Sequence, residues 1–327
     1  MVRKRDLDRP EALWKETDMS RGRQVDAMVL ILRTQGCSWS RSGGCNMCGY
    51  NTASDSEVTE AQLLSQLDSA MERYDGEPFV KVYTSGSFLD EREIPAPFRD
   101  ELLQRFSSAE RLLVESRPEF ITPDSLSAMP AATTVAIGLE SSDDEVLRHS
   151  VRKGFTTADF VRSAEALKEE GMMLRSYLLL KPPFLNEAAA IDDAKSSISF
   201  ASSYSDEISL NPVNVQRGTL VERLWKRGDY RPPWLWSLLE VMMNAAPGPR
   251  LMSSPSGGGS RRGVHNCGEC DAKILEAVRA FSFSQRPEDL EVGGCTCRKG
   301  WARSLQDGAR LQTAVDTDRH LDDGLII

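Results

Sequence analysis

Apolar residues along the chain follow two rhythms. Short runs rich in β-branched residues predict strands at Ala27–Arg33, Phe79–Ser85, Arg111–Glu115, Thr133–Leu139, Leu174–Leu180 and Glu207–Val213. Between them apolar residues recur at helical spacing, as Leu63, Leu67, Met71 and Tyr74 do within Thr59–Tyr74. The same holds for Phe160, Ala164 and Leu167 within Thr156–Glu170, where Thr156 or Thr157 can cap the start and Gly171 can end the helix. Phe98–Phe106 and Ile191–Tyr204 fill other gaps. Six strands that each lead into a helix imply a parallel sheet. Six units are too few for an eight-stranded barrel. The expected fold is therefore α/β, an open partial (β/α)6 barrel, with its chemistry at the carboxyl ends of the strands.

After Val213 the rhythm changes. Gly218–Arg227 and Pro233–Ala245 read as helices, and the breaker-rich stretch Pro247–Gly263 follows. A further helix, Asp271–Gln285, lies between two pairs of cysteines. This places a boundary near residue 250. Residues 1–250 form the barrel domain with an N-terminal extension, and residues 251–327 a small cysteine-rich module and tail.

Composition narrows the class. The longest apolar runs, such as Ala27–Leu32, are far too short to span a bilayer, and the densely charged first residues hold no apolar stretch of signal-peptide length. The expectation is a soluble cytoplasmic protein with no membrane partner. Seven cysteines, an odd number without a sign of secretion, read as metal ligands or redox groups before disulfides. The net charge of −9 argues against a broad basic surface for nucleic acid, although local basic groups stand at Arg3-Lys4-Arg5, Arg261-Arg262 and Arg298-Lys299. No P-loop, dinucleotide fingerprint or Ser–His–Asp arrangement is present.

The first predicted strand runs into Gly36-Cys37-Ser38-Trp39-Ser40-Arg41-Ser42-Gly43-Gly44-Cys45-Asn46-Met47-Cys48-Gly49-Tyr50. Cys37, Cys45 and Cys48 can fold around one soft metal centre. A structural zinc site wants four ligands, and this loop has no fourth Cys or His. A 4Fe–4S cluster held by three thiolates keeps one iron open, which S-adenosyl-L-methionine (SAM) can chelate. Late in the chain, Cys267 and Cys270 form a CxxC, and Cys295 and Cys297 a CxC. Four thiolates are the usual set for structural zinc, and the same four can hold a second iron–sulfur cluster.

In this pattern the sequence resembles the radical SAM superfamily, with cysteine spacings of seven and two where three and two are usual, and Met47 where an aromatic is usual. The resemblance implies that Ser85, Gly86 and Ser87 grip the SAM amino group. It further implies SAM contacts from Glu115, Gly138, Glu140 and Ser141, and a SAM carboxylate partner in Arg152 or Lys153, with Arg175 a further candidate. More narrowly, GCSWSRSGGCNMCGYN, SGSFLD, VESRPEFIT, GLESSDDEVL, KPPFLNE, NPVNVQRGTLVERLW, YRPPWLWS and HNCGECD resemble the archaeosine synthase beta-subunit family, from about Arg23 to Trp301. That resemblance implies a lyase working with an alpha subunit, which attaches lysine to a 7-cyano-7-deazaguanine base in tRNA. The beta subunit, fed by an external electron donor, then cleaves the lysine carbon–nitrogen bond to leave the formamidine of archaeosine. Lys181, Asn211, Asn214 and Gln216 would meet the lysyl-base, although Asn211 and Asn214 read equally well as turn residues beside Pro212. Two alternatives stand beside this reading: another radical SAM tRNA enzyme, such as one acting on wobble uridine, and a non-catalytic zinc-binding RNA adaptor.

Overall fold

The computed structural model describes residues 6–306; Arg3-Lys4-Arg5 and the tail after residue 306 lie outside the described residues. The sheet runs β1 (Ala12–Ser20), β2 (Arg23–Ile31), β3 (Phe79–Tyr83), β4 (Arg111–Glu115), β5 (Thr133–Glu140), β6 (Met173–Leu180), β7 (Glu207–Pro212) and β8 (Arg250–Met252), and strand order follows sequence order. All six predicted strands are present as β2 to β7. From β2 to β5 pairing is parallel, with Ala27 opposite Phe79, Phe79 opposite Arg111 and Leu112 opposite Thr133. From β6 to β8 it is parallel again, with Arg175 opposite Glu207 and Glu207 opposite Arg250. The fold class is the expected α/β succession of a radical SAM partial barrel.

Two strands go beyond the six expected. β8 is only three residues long. β1 pairs antiparallel with β2 through a turn at Arg21-Gly22, both residues at positive φ. Such a turn matches the twist of a hairpin. β1 escapes the apolar criterion because it carries acids on a buried face. Glu16 and Asp18 both pair with the nearly inaccessible Lys81 of β3, at 2.6 and 2.5 Å.

The helices are α1 (Glu60–Met71), α2 (Ala96–Arg105), α3 (Thr157–Glu169), α4 (Glu187–Ala201), α5 (Leu220–Arg227), α6 (Leu235–Met243), α7 (Asp271–Ser284) and α8 (Arg298–Gln306), with shorter turns between. Their starts follow from local chemistry. Thr59 and Gln62 form a reciprocal capping box at α1, Asn186 Oδ1 accepts from Ala189 N at 2.8 Å at α4, and Thr219 Oγ1 accepts from Glu222 N at 3.0 Å at α5.

The chain divides into two compact units. One comprises residues up to Ser42, Tyr50–Ile137 and Val161–Leu174; the other comprises Gly43–Gly49, Gly138–Phe160 and residues from Arg175 on. In the first unit, Met28, Leu30, Leu67, Phe79, Phe98 and Leu102 are fully buried. Truncating one of these leucines to alanine costs about 2–5 kcal/mol. In the second unit, Val213, Val215, Val221 and Leu224 build a core against which Met47 packs. This is the residue that stands where an aromatic is usual.

Candidate functional site

In the first unit the chain leaves β2 through Thr34 and reaches Cys37, which precedes the helical turn Ser38–Arg41 and accepts at its carbonyl from Ser40 Oγ at 2.6 Å. The turn after β3, Ser85-Gly86-Ser87, lies directly against it. A Cβ on Gly86 would come within 2.6 Å of Cys37 Cα, so only glycine admits this approach. Phe88 N donates to the carbonyl of Glu115 at 2.8 Å, and Ser87 Oγ accepts from Arg117 N at 3.1 Å. The ends of β2, β3 and β4 thus meet around Gly86. Under this junction lies Glu93, 1% exposed. It accepts from Thr34 Oγ1 and from Ser87 N, both at 2.6 Å, and burial pushes its carboxyl upward. Sequence reasoning missed Glu93, since Asp-Glu-Arg-Glu at residues 90–93 reads as a solvated charged stretch.

In the second unit Cys45 and Cys48 are bridged by a Cys48 N to Cys45 O hydrogen bond of 3.2 Å. Asn46 staples their loop to the π-helical turn Val146–Val151. Its N–H donates to Val151 O and its side-chain amide to Ser150 O, both at 3.0 Å. Past Cys48, Gly49 N donates to Gln216 Oε1 at 2.5 Å, and a Cβ on Gly49 would stand 2.9 Å from Gln216 Cβ. The Arg152 guanidinium lies against Gly43, where a Cβ would be 2.5 Å from Nη2. Glu140 receives Lys153 Nζ at 2.7 Å above Gly138. Ser141 donates to Asp193 at 2.6 Å, and burial, against that hydrogen bond, pushes the Asp193 carboxyl up to about 6. Glu140, Arg152, Lys181 and Phe184 all take positive φ. Such backbone costs about 1–3 kcal/mol per residue and clusters at functional sites.

The structure thus brings Gly138, Glu140 and Lys153 together, and sets the Arg152 guanidinium against Gly43, just before Cys45. Other candidates are held by protein partners. Arg175 is buried in a pair with Glu207 at 2.7 Å, and Lys181 in one with Glu187 at 2.6 Å. Glu187 also accepts from Trp234 N and from Ser237 Oγ, which itself accepts from Trp301 Nε1 at 2.9 Å. Asn211 lies in β7 and donates its side-chain amide to Ser209 O at 3.2 Å. Gln216 Nε2 donates to Asn214 at 3.2 Å, and Asn214 to Ser256 at 3.3 Å.

The C-terminal cysteines converge. The sulfurs of Cys267, Cys270, Cys295 and Cys297 all lie within 4.8 Å of one another, with Cys267–Cys295 at 3.6 Å and Cys270–Cys297 at 3.7 Å. A tetrahedral ion with sulfurs at about 2.3 Å has sulfur–sulfur edges of roughly 3.8 Å, so the four thiols stand close enough together to share one metal centre. Trp236 Nε1 points at Cys297 Sγ at 3.2 Å and Asn266 Nδ2 at Cys270 Sγ at 3.3 Å, as donors to thiolate do. The Cys297 backbone N–H and thiol bring Cys295 down to about 7, whereas burial pushes Cys297 up to about 12. His265 stays outside the quartet, its Nδ1 2.8 Å from Gly263 O. Nearby, Arg261, Arg298 and Lys299 are exposed, whereas Arg262 pairs with Glu222 at 2.7 Å and brings that carboxyl down to about 2.

Cys37, Cys45 and Cys48 form no disulfide. Three cysteines outside any disulfide are a donor set that an iron–sulfur centre takes, and the close approach at Gly86 leaves backbone beside Cys37 for a ligand to meet. Parallel strands in sequence order, with this cysteine loop following β2, are the arrangement that the resemblance to the radical SAM superfamily implies. No family model matches the chain. The chain is 42% identical to the archaeosine synthase subunit beta of Methanosarcina acetivorans, over 91% of this chain and 90% of that protein. To the archaeosine synthase subunit beta of Thermococcus kodakarensis it is 38% identical, over 90% and 96%. The chain belongs to the archaeosine synthase subunit beta family. A radical SAM methyltransferase from Sphaerobacter thermophilus superposes with a TM-score of 0.43 and 15% identity, covering 76% of this chain and 78% of that one. No helix among the described residues is long and apolar enough to cross a membrane.

Proposed function

We propose that the chain is a radical SAM lyase that, with an alpha subunit, completes archaeosine in tRNA by cleaving the lysine carbon–nitrogen bond on a lysine-modified 7-cyano-7-deazaguanine base. The observation that carries this reading is the set of three closely spaced cysteines after β2 in a chain of the archaeosine synthase subunit beta family. Cys37, Cys45 and Cys48 would hold a 4Fe–4S cluster, and the turn Ser85–Ser87 with Glu140, Ser141 and Arg152 would hold SAM. When bound and reduced by an external donor, cluster and SAM supply a carbon-centred radical able to take hydrogen from an unactivated side chain. The protein's own work is to bind, orient and keep water out. Glu140 lies charge-paired beside Lys153, and Arg152 offers a fixed cation to a carboxylate.

The residues from 251 on would form a small module tied by zinc at the cysteine quartet. Lys181 on the substrate side and Arg175 on the SAM side, each paired with a buried acid, would act through those pairs. The test is anaerobic reconstitution with SAM, a reductant and tRNA bearing the lysine-modified base. Formation of 5′-deoxyadenosine together with archaeosine in nuclease digests supports the proposal. Cleavage of SAM that leaves the modified base intact overturns the substrate assignment.

A further inference from the structure

We infer that Glu93 is a positioning residue that sets the turn Ser85–Ser87 for the amino group of SAM; the inference rests on the radical SAM reading above. Glu93 is 1% exposed and ties two chain segments together, the approach to Cys37 and the turn after β3. Thr34, three residues before Cys37, donates its hydroxyl to Oε1 at 2.6 Å, and Thr34 Oγ1 in turn accepts from Gly36 N at 3.1 Å. Ser87 N donates to Oε2 at 2.6 Å. On the same turn Thr84 Oγ1 accepts from Gly86 N at 3.3 Å. A buried carboxyl surrounded by donors is a device for holding backbone, because losing it strands every donor without water.

The bond to Ser87 N determines a direction. Cis peptides are absent among the described residues, so the Gly86–Ser87 peptide is trans, and its carbonyl points opposite to its N–H. With that N–H aimed at Glu93, the Gly86 carbonyl points away from the buried carboxyl and is offered as an acceptor. A hydrogen bond at the N–H end also polarises the peptide and makes that oxygen a better acceptor for a cation. The amino group of SAM is such a partner. Through Thr34 and Gly36 the same carboxyl anchors the approach to Cys37, whose Cα would stand only 2.6 Å from a Gly86 Cβ. One side chain therefore sets both the first cysteine and the acceptor beside it.

The experiment compares wild type, Glu93→Met and Glu93→Gln in the full chain, reconstituted anaerobically. Iron content, the electron paramagnetic resonance of the reduced cluster, and its response to titrated SAM are measured. Methionine fills the space without an acceptor; glutamine keeps an oxygen for Ser87 N. The expected result is full iron content in all three and a SAM response weakened about 10- to 100-fold in Glu93→Met, largely restored in Glu93→Gln. Should Glu93→Met fail to fold, Glu93→Ala is read in the same way. A wild-type response shared unchanged by the Met or Ala variant, even with a lower melting temperature, overturns the inference alone and makes Glu93 merely structural. A wild-type cluster that ignores SAM overturns the radical SAM reading and the inference with it.

Discussion

The backbone N–H of Gly49 is bonded to the side-chain oxygen of Gln216 at 2.5 Å, so the residue after Cys48 is anchored by the segment between β7 and α5. The two are also in steric contact, which makes each sensitive to the other. We expect Gly49→Ala to destabilise the protein by about 1–3 kcal/mol, through overpacking against Gln216. Gln216→Leu should fold but lose iron faster under chelator challenge. Unchanged iron retention in Gln216→Leu would mean that the bond does not support the loop.

Cys37→Ala, Cys45→Ala and Cys48→Ala should each abolish SAM cleavage, because under the proposed function each would remove an iron ligand, and the loop has no other Cys or His to replace it. Counting 5′-deoxyadenosine per chain checks this. Wild-type yield from any single variant would refute the assignment of these ligands.

Elemental analysis of purified protein should find one zinc per chain in addition to cluster iron. Cys267→Ala/Cys270→Ala should lose that zinc and melt at a lower temperature, since metal affinity at such a site is folding energy. Four extra irons in place of zinc would refute the zinc assignment and point to a second iron–sulfur cluster.

Asp193 gives a pH dependence of defined sign. Its folded-state carboxyl titrates near 6, above the value of an unfolded aspartate, so the folded state binds the extra proton between about pH 4 and 6. Stability contributed by this site should therefore fall by about 3 kcal/mol as pH rises through that window. Asp193→Asn, which still accepts from Ser141, should remove the slope and be the more stable form at pH 7. Denaturant melts at pH 4.5 and 7 decide the matter, and parallel profiles for the two proteins would refute it.

The isolated chain, at net charge −9, should bind tRNA weakly and lose that binding with salt, because few phosphates can be neutralised. The exposed Arg261, Arg298 and Lys299 are the expected local contact, with further positive charge coming from the alpha subunit. Tight binding by the lone chain in a salt titration at physiological ionic strength would place the positive surface elsewhere.

Legibility in the sequence followed the kind of signal each residue gave. β2 to β7 were readable because buried parallel strands are continuous apolar runs. The two cysteine groups were readable because spacing along the chain is itself the signal. β1 was not, since its inward-facing Glu16 and Asp18 satisfy Lys81 where an apolar alternation would be expected. Glu93 was hidden for the same reason: burial of a lone acid depends on donors from Thr34 and Ser87, which only the fold brings near. The bond between Gln216 and Gly49 was hidden because it spans 167 residues and leaves no local trace in the sequence.

The hairpin strand β1 also has a colloidal role. Without it β2 would present an open row of backbone donors and acceptors beside Ala27, Met28, Val29 and Leu30, all fully inaccessible to solvent in the folded chain. Such an edge is a template for strand addition between molecules. β1 occupies that template with a strand that is itself charged, carrying Lys15, Glu16 and Asp18. Versions of the chain trimmed to begin at Arg23 should accordingly fail by self-association in concentrated solution before they fail by loss of the site.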